Sequence, residues 1–348
     1  MIDVATVCAL ELIQNIHDSK SKLCLYGLLK QTLTPMGARL LRSTILQPST
    51  KVGIITKRYD AVEELSTKEE LFSAVHRALK PFIDVEKLLT SLIVVEARCP
   101  MAMVEDSINK VIMLKHYVQS IIPVHESLTS ARGELLVGIR DNCSSEELDQ
   151  LLHLINETIN RDTQYCKTPL ELRNQRTYAV KSGINGLLDV ARTAYKEFTE
   201  DAYRMVEELR EIHKLSFELK FDNQRHMYIR CPAAELEARQ LPPIVINVIK
   251  TKKYIECQTL DLMKLNQKLT VCHEEILAMS DSAVQELIGE IRSKMSILFK
   301  CCESIAVLDM LTAFADLVTK YSYVRPTLTD TLAIKSGRHP VREAFHTE

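Results

Sequence analysis

LDLMKLNQKLTVCHEEILAMSDSAVQELIGEIRSKMSILFKCCESIAVLDMLTAFADLVTKY, residues 260–321, decides the fold class. Its apolar positions run Leu262, Leu265, Leu269, Cys272, Ile276, Met279, Ala283, Leu287, Ile291, Met295, Leu298, Cys302 and Ile305. That three-then-four spacing lays one stripe along an α-helix. Thr259 stands in front as an N-cap, Gly289 is the one interruption, and the next proline is Pro326. A continuous helix to about Tyr321 would be roughly 90 Å long. No compact domain of this size holds such a helix, so it projects, or it bends and breaks. The alternative is two or three bundle helices joined without Gly or Pro.

Working toward the N-terminus, the period changes between Ser216 and Gln258. FELKF and MYIRC are strand-like runs around the polar turn DNQR, and IVINVIKTKKYIEC follows EARQLPP with many β-branched residues. Before this module the stripe Leu187, Ala191, Ala194, Phe198, Ala202, Met205, Leu209, Ile212 predicts another helix over 187–214, opened by Asn185. At 1.5 Å per residue it spans roughly 40 Å. A small β-rich module is thus expected between two long helices.

Lys214 to Gln258 holds eight Lys and Arg, Arg225 and Arg230 among them, against five acids, a local +3 in a chain of net charge −2. Lys250, Lys252 and Lys253 fall within four residues. On a strand Lys250 and Lys252 share one face with Lys253 opposite, unless a turn at Thr251 gathers all three. Clustered ammonium groups at a module tip can track phosphates without reading sequence. The plainer reading is a solvated strand end that lysines protect against edge pairing.

From Leu23 to about Ile122 short amphipathic blocks such as MGARLLRSTIL and KEELFSAVHRALK are punctuated by Pro35, Pro48, Pro81, Pro100 and Pro123. A proline ends a helix at or before the preceding residue, so several short helices are expected. Residues 123–168 are less regular, with DNCSSEELDQ opening one more helix. Only 9 Gly occur in 348 residues, against roughly 24 for average usage, which disfavours sandwiches, barrels and Rossmann domains. With 46% hydrophobic and 26% charged residues the chain can bury a sizeable core. No run approaches a membrane span, and MIDVATVCAL is no signal peptide, so a soluble intracellular protein is expected. Ten cysteines without C-x-x-C spacing read as reduced, packed thiols.

Catalytic signatures are missing. There is no G-x-x-x-x-G-K-[ST], so no nucleotide hydrolysis is expected from this chain. HESLT at His125 and HEEIL at His273 lack the second His of a zinc helix, and Glu274 with Glu275 reads as a solvated helix face. No catalytic residue, metal ligand or cofactor site is selected.

Several blocks, in order, resemble the DNA mismatch-repair MutS family. LLKQTLTPMGARLLRSTILQP (28–48) is similar to the opening of the family's helical core, with Thr32, Thr34, Gly37, Arg39, Leu41, Arg42 and Pro48 in place. ITKRYDAVEEL (55–65) resembles the helix that follows. RTYAVKSGINGLLDVARTAY (176–195) resembles the start of the long lever helix. LDMLTAFADLV and YVRPTLTDTLAIKSGRHP (308–340) resemble the lever's return and the first strand of the ATPase domain. The wording is most similar to the family's meiotic branch, the fourth eukaryotic homologue.

The resemblance implies a mainly α fold: a multi-helical core with long antiparallel lever helices and a small inserted β-rich clamp. The implied parts are core 1–175, outgoing lever 176–215, clamp 216–258, returning lever and core 259–322, and the start of a truncated ATPase domain at 323–348. It further implies non-sequence-specific binding of duplex or branched DNA through phosphates in meiotic crossover formation. DNA contacts would come from Arg225, Arg230, Lys250, Lys252 and Lys253. The fifth eukaryotic homologue would be the partner, and the location nuclear and chromosome-associated, with no membrane. ATP and Mg would serve an ATPase absent from this chain. Mitotic mismatch repair is the alternative within the family, and a helical interaction scaffold without DNA the alternative outside it. Two departures stand out. The family usually has Gly before the paired aromatics of the second clamp strand, where this chain has His226, Met227 and Tyr228. After Pro340 the usual two aliphatics and Glu become Val341, Arg342, Glu343 and Ala344.

Overall fold

The computed structural model describes residues 2–94, 101–163, 166, 168–236 and 241–345. Cys99, Glu237 and Arg239, which enter the cysteine and charge readings above, lie outside the described residues. Helices follow one another as α1 (Val4–Ala9), α2 (Leu25–Leu29), α3 (Pro35–Leu46), α4 (Val52–Thr67), α5 (Glu69–Leu79), α6 (Val85–Ile93), α7 (Met101–Ser127), α8 (Glu134–Asn142), α9 (Glu146–Thr158), α10 (Pro169–Thr177) and α11 (Gly186–His213). Strands β1 (Glu218–Asp222), β2 (His226–Pro232), β3 (Val245–Lys250) and β4 (Tyr254–Thr259) come next, then α12 (Leu260–Ser293), α13 (Met295–Tyr321) and α14 (Pro340–Phe345). The fold is mainly α with one small antiparallel sheet. Two units partition the chain: Met1–Val94, Leu114–Leu152 and Arg292–Glu348 form the first, Val95–Met113 and His153–Ile291 the second.

The first unit is built around α13. Between Cys301 and Ala313 only Glu303 is exposed, as expected for a helix with core on every side, and α2, α3, α4, α5, α6 and α8 pack against it. Asp309 is 1% exposed and accepts from Leu33 N at 2.9 Å, Thr34 N at 2.8 Å and Thr34 Oγ1 at 2.7 Å. Burial raises its pKa and these hydrogen bonds oppose the rise. Its carboxyl therefore sits at the N-terminus of α3, where helix donors lack partners. Gly37 faces it so closely that any side chain there would collide with Asp309.

Residues 260–321 form two helices, as the breaking reading and the two-helix alternative allow. The break falls at Lys294, with φ −104° and ψ 9°, although neither Gly nor Pro stands there and Gly289 lies inside α12. One expectation fails: Pro123 does not end its helix, since α7 runs through it. Pro123 and Gln119 are both exposed, so the carbonyl deprived of a donor meets water.

In the second unit the sheet order is β1-β2-β4-β3, all neighbours antiparallel. Asn185 caps α11 by accepting from Leu187 N at 3.0 Å, and Thr259 caps α12 by accepting from Leu262 N at 3.1 Å. Helices α11 and α12 run antiparallel, with Thr259 beside Met205 and Cys272 Sγ donating to Ala191 O at 3.1 Å. The buried line of α11 is Leu188, Arg192, Tyr195, Ala202, Val206 and Leu209; it shares Ala202 and Leu209 with the expected stripe and elsewhere lies one residue later, Leu187 being 70% exposed. The helix carries two adjacent apolar lines, and the one around Tyr195 faces the core. The other, with Leu187, Val190 and Phe198, borders an open apolar groove of about 590 Å³ shared with Val271 and Met279 of α12.

Candidate nucleic-acid interface

The sheet is held to its helices by polar side chains. Asn266 of α12 accepts from Met227 N at 3.1 Å and donates to Met227 O at 2.9 Å, fixing β2. Arg210 of α11 donates twice to Phe217 O, just before β1. Arg173 of α10, 9% exposed, donates to Tyr195 Oη at 3.2 Å and Leu269 O at 3.1 Å and lies 3.3 Å from His226 Nδ1. Deeper in, His273 meets Thr177 Oγ1 at 3.1 Å. Burial, with Arg173 and Arg176 nearby, lowers its pKa to about 3, so it stays neutral. The β1–β2 turn is shaped by Asp222, which accepts from Gln224 N and Arg225 N. His226 follows with φ +59°, the left-handed conformation that glycine adopts at no cost.

The sequence left open how Lys250, Lys252 and Lys253 are disposed; the backbone answers. Strand β3 ends at Lys250 and β4 begins at Tyr254. The turn between them is closed by Thr251, whose N and Oγ1 donate to Tyr254 O at 2.8 and 2.7 Å and whose Oγ1 accepts from Tyr254 N at 3.0 Å. All three lysines are exposed at this hairpin tip, and among the described residues none has an ion-pair partner. Strand β3 is an edge strand, but a bulge between Ile246 and Ile249, with Asn247 at φ +53°, already interrupts its ladder. Lys252 and Lys253 lie beyond the strand, where there is no edge to protect.

Arg225 and Arg230 are placed differently. The register aligns Glu218, Arg230, Glu256 and Ile249 across one face. Glu256, 9% exposed on the central strand β4, accepts from Arg230 Nη2 at 2.8 Å on Oε1 and from Arg225 Nη1 at 2.9 Å on Oε2. Arg225 also pairs with Asp222 at 2.7 Å. Burial pushes the Glu256 pKa up, but the two guanidinium hydrogen bonds prevail and hold it below the usual value. Arg225 stacks over Tyr228 at 4.0 Å and Arg230 over Tyr254 at 4.9 Å. Lys220, on the same face, pairs with Glu218 at 2.9 Å. The three cations of this face are thus matched by three carboxylates. Glu256, Tyr228 and Tyr254 were not singled out from sequence. The signal existed only as strand alternation, unusable until the β2–β4 register was known.

The sequence carries no G-x-x-x-x-G-K-[ST], and among the described residues no group of three or more His, Cys, Asp and Glu is placed to hold a metal ion. Among those residues, too, no helix is long and apolar enough to cross a membrane.

Residues 5–315 match the protein family described as MutS domain III. Over 99% of its length the chain is 35% identical to "MutS protein homolog 4" of Saccharomyces cerevisiae, covering 39% of that protein. Identity to "MutS protein homolog 4" of Homo sapiens is 34% over 100% of the chain and 37% of the relative. "DNA mismatch repair protein MutS" of Methanosarcina barkeri is 26% identical over 99% of the chain and 37% of the relative. The chain spans less than half the length of these relatives.

Proposed function

Because the chain belongs to the MutS family, we propose that it grips duplex or branched DNA through phosphates, with no reading of base sequence. The observation that carries this is the lysine tip: three ammonium groups at a hairpin turn, without ion-pair partners among the described residues. Such groups neutralise phosphates and release counterions. Arg225 and Arg230 form a second set of candidate contacts whose charge is shared with Glu256 and Asp222. In this reading α11 and α12 are levers that carry the sheet, and ATP and Mg act in an ATPase part of the protein outside these residues. Grip and ATPase are then coupled through the levers.

The process is meiotic recombination, with a second MutS homologue, the fifth eukaryotic one, as partner and the nucleus as the location. Supporting this is the higher identity to the two homolog 4 proteins than to the archaeal mismatch-repair protein; mismatch repair is the alternative within the family. A gel shift with duplex and four-way-junction DNA, run beside sedimentation of the purified chain, tests the reading. The expected result is a shift without sequence preference. Self-association with no shift would favour the interaction scaffold, a reading supported by the open apolar groove along α11 and α12.

A further inference from the structure

We infer that Glu256 is a built-in competitor for phosphate: by holding Arg230, and Arg225 together with Asp222, it withholds guanidinium donors from nucleic acid and so sets how many phosphates the sheet can grip. This rests on the phosphate-binding reading and deepens it. Carboxylate and phosphate make the same charge-assisted, fork-shaped contact with Arg, so the two compete for the same donors. Glu256 is well placed to win. It lies on the central strand, nearly buried, and each of its oxygens is already taken by one guanidinium. The arginines, by contrast, are 30% exposed and sit at the surface over Tyr228 and Tyr254. Arg230 Nη1 has no acceptor among the described residues.

Stability gives little reason for this arrangement. A well-packed apolar side chain often serves a fold as well as a buried ion pair does. The carboxylate's distinct effect is electrostatic. With Glu256 ionised, the face carrying Lys220, Arg225 and Arg230 against Glu218, Asp222 and Glu256 is neutral. With that charge removed, the face becomes cationic beside the lysine tip and its arginines regain free donors. Glu256 is therefore a positioning residue that acts on DNA through the two arginines.

The test is Glu256→Gln, which keeps size and one acceptor, measured by fluorescence anisotropy against duplex DNA over a salt series. The expected result is tighter binding, with the log–log salt slope steeper by about 0.9 for the freed Arg230 guanidinium, since Arg225 keeps its pair with Asp222. A slope equal to the unsubstituted protein's, with an unchanged circular dichroism spectrum, overturns the inference. The unsubstituted protein keeps the inference falsifiable if the first variant fails to fold. Under titration with inorganic phosphate its Arg230 Nε–Hε resonance is expected not to shift saturably, and a saturable shift there overturns the inference. The arginine Nε–Hε resonances under titration with inorganic phosphate supply the DNA-independent arm. Saturable shifts are expected only in Glu256→Gln. If neither protein binds DNA yet those shifts appear, the DNA reading fails and the competitor stands; no shift in a folded Glu256→Gln removes the competitor.

Discussion

The β3–β4 tip and the polar face of the same sheet each carry three cations, in opposite condition. Lys250, Lys252 and Lys253 stand exposed at a turn with no carboxylate partner among the described residues. Lys220, Arg225 and Arg230 are matched by Glu218, Asp222 and Glu256. The +3 counted for residues 214–258 equals the charge of the tip alone. Composition reports how many cations a module has; pairing decides which of them an incoming phosphate can use.

The comparison breaks most visibly by reversing the tip. Lys250→Glu, Lys252→Glu and Lys253→Glu together are expected to weaken duplex binding about 100-fold or more at 0.1 M salt. Each exposed site should change stability by no more than about 0.5 kcal/mol. Anisotropy and urea unfolding read the two effects. The face behaves the other way. Arg230→Ala leaves half of a nearly buried carboxylate unpaired, an expected cost of about 2–3 kcal/mol in urea unfolding, while duplex affinity moves less than about threefold. Lost affinity with full stability would erase the distinction between tip and face.

Acid sharpens it further. His273 lies beneath the sheet's anchor, and its folded pKa of about 3 is below the unfolded 6.5. Its stabilisation is complete above pH 6.5 and is lost as pH falls toward 3, which amounts to about 2 kcal/mol by pH 5. The salt slope of the folded protein should be the same at pH 7.5 and pH 5. The smallest expected effect is a rate. Burial pushes Cys231 on β2 and Cys257 on β4 up to about 11, so a thiol reagent at pH 7.5 should label exposed Cys8 before either of them. Arg230→Ala should hasten labelling of the sheet thiols, and the tip variants should leave it alone.

Much of this was legible in the chain, because local chemistry dictated it. Asn185 and Thr259 cap the helices their side chains suggest, and the change of period marks the sheet. What was hidden is tertiary. Nothing near Lys294 announces a break, since neither Gly nor Pro stands there. Pro123 is tolerated because its orphaned carbonyl faces water. The core line of α11 could not be chosen between two apolar lines until Tyr195 met Arg173. At the site, the lysine tip was visible as residues and lacked only its turn, which Thr251 supplies. The bond from Glu256 to Arg225 joins residues 31 apart, and only the strand register brings them together.

The most direct test of the lysine tip as the DNA grip is the salt dependence of duplex binding, compared between the unsubstituted chain and Lys250→Gln, Lys252→Gln, Lys253→Gln. The grip described here predicts a log–log slope shallower by about 2–3, near 0.9 per lost phosphate contact, with the fold intact. An unchanged slope at unchanged affinity would contradict it.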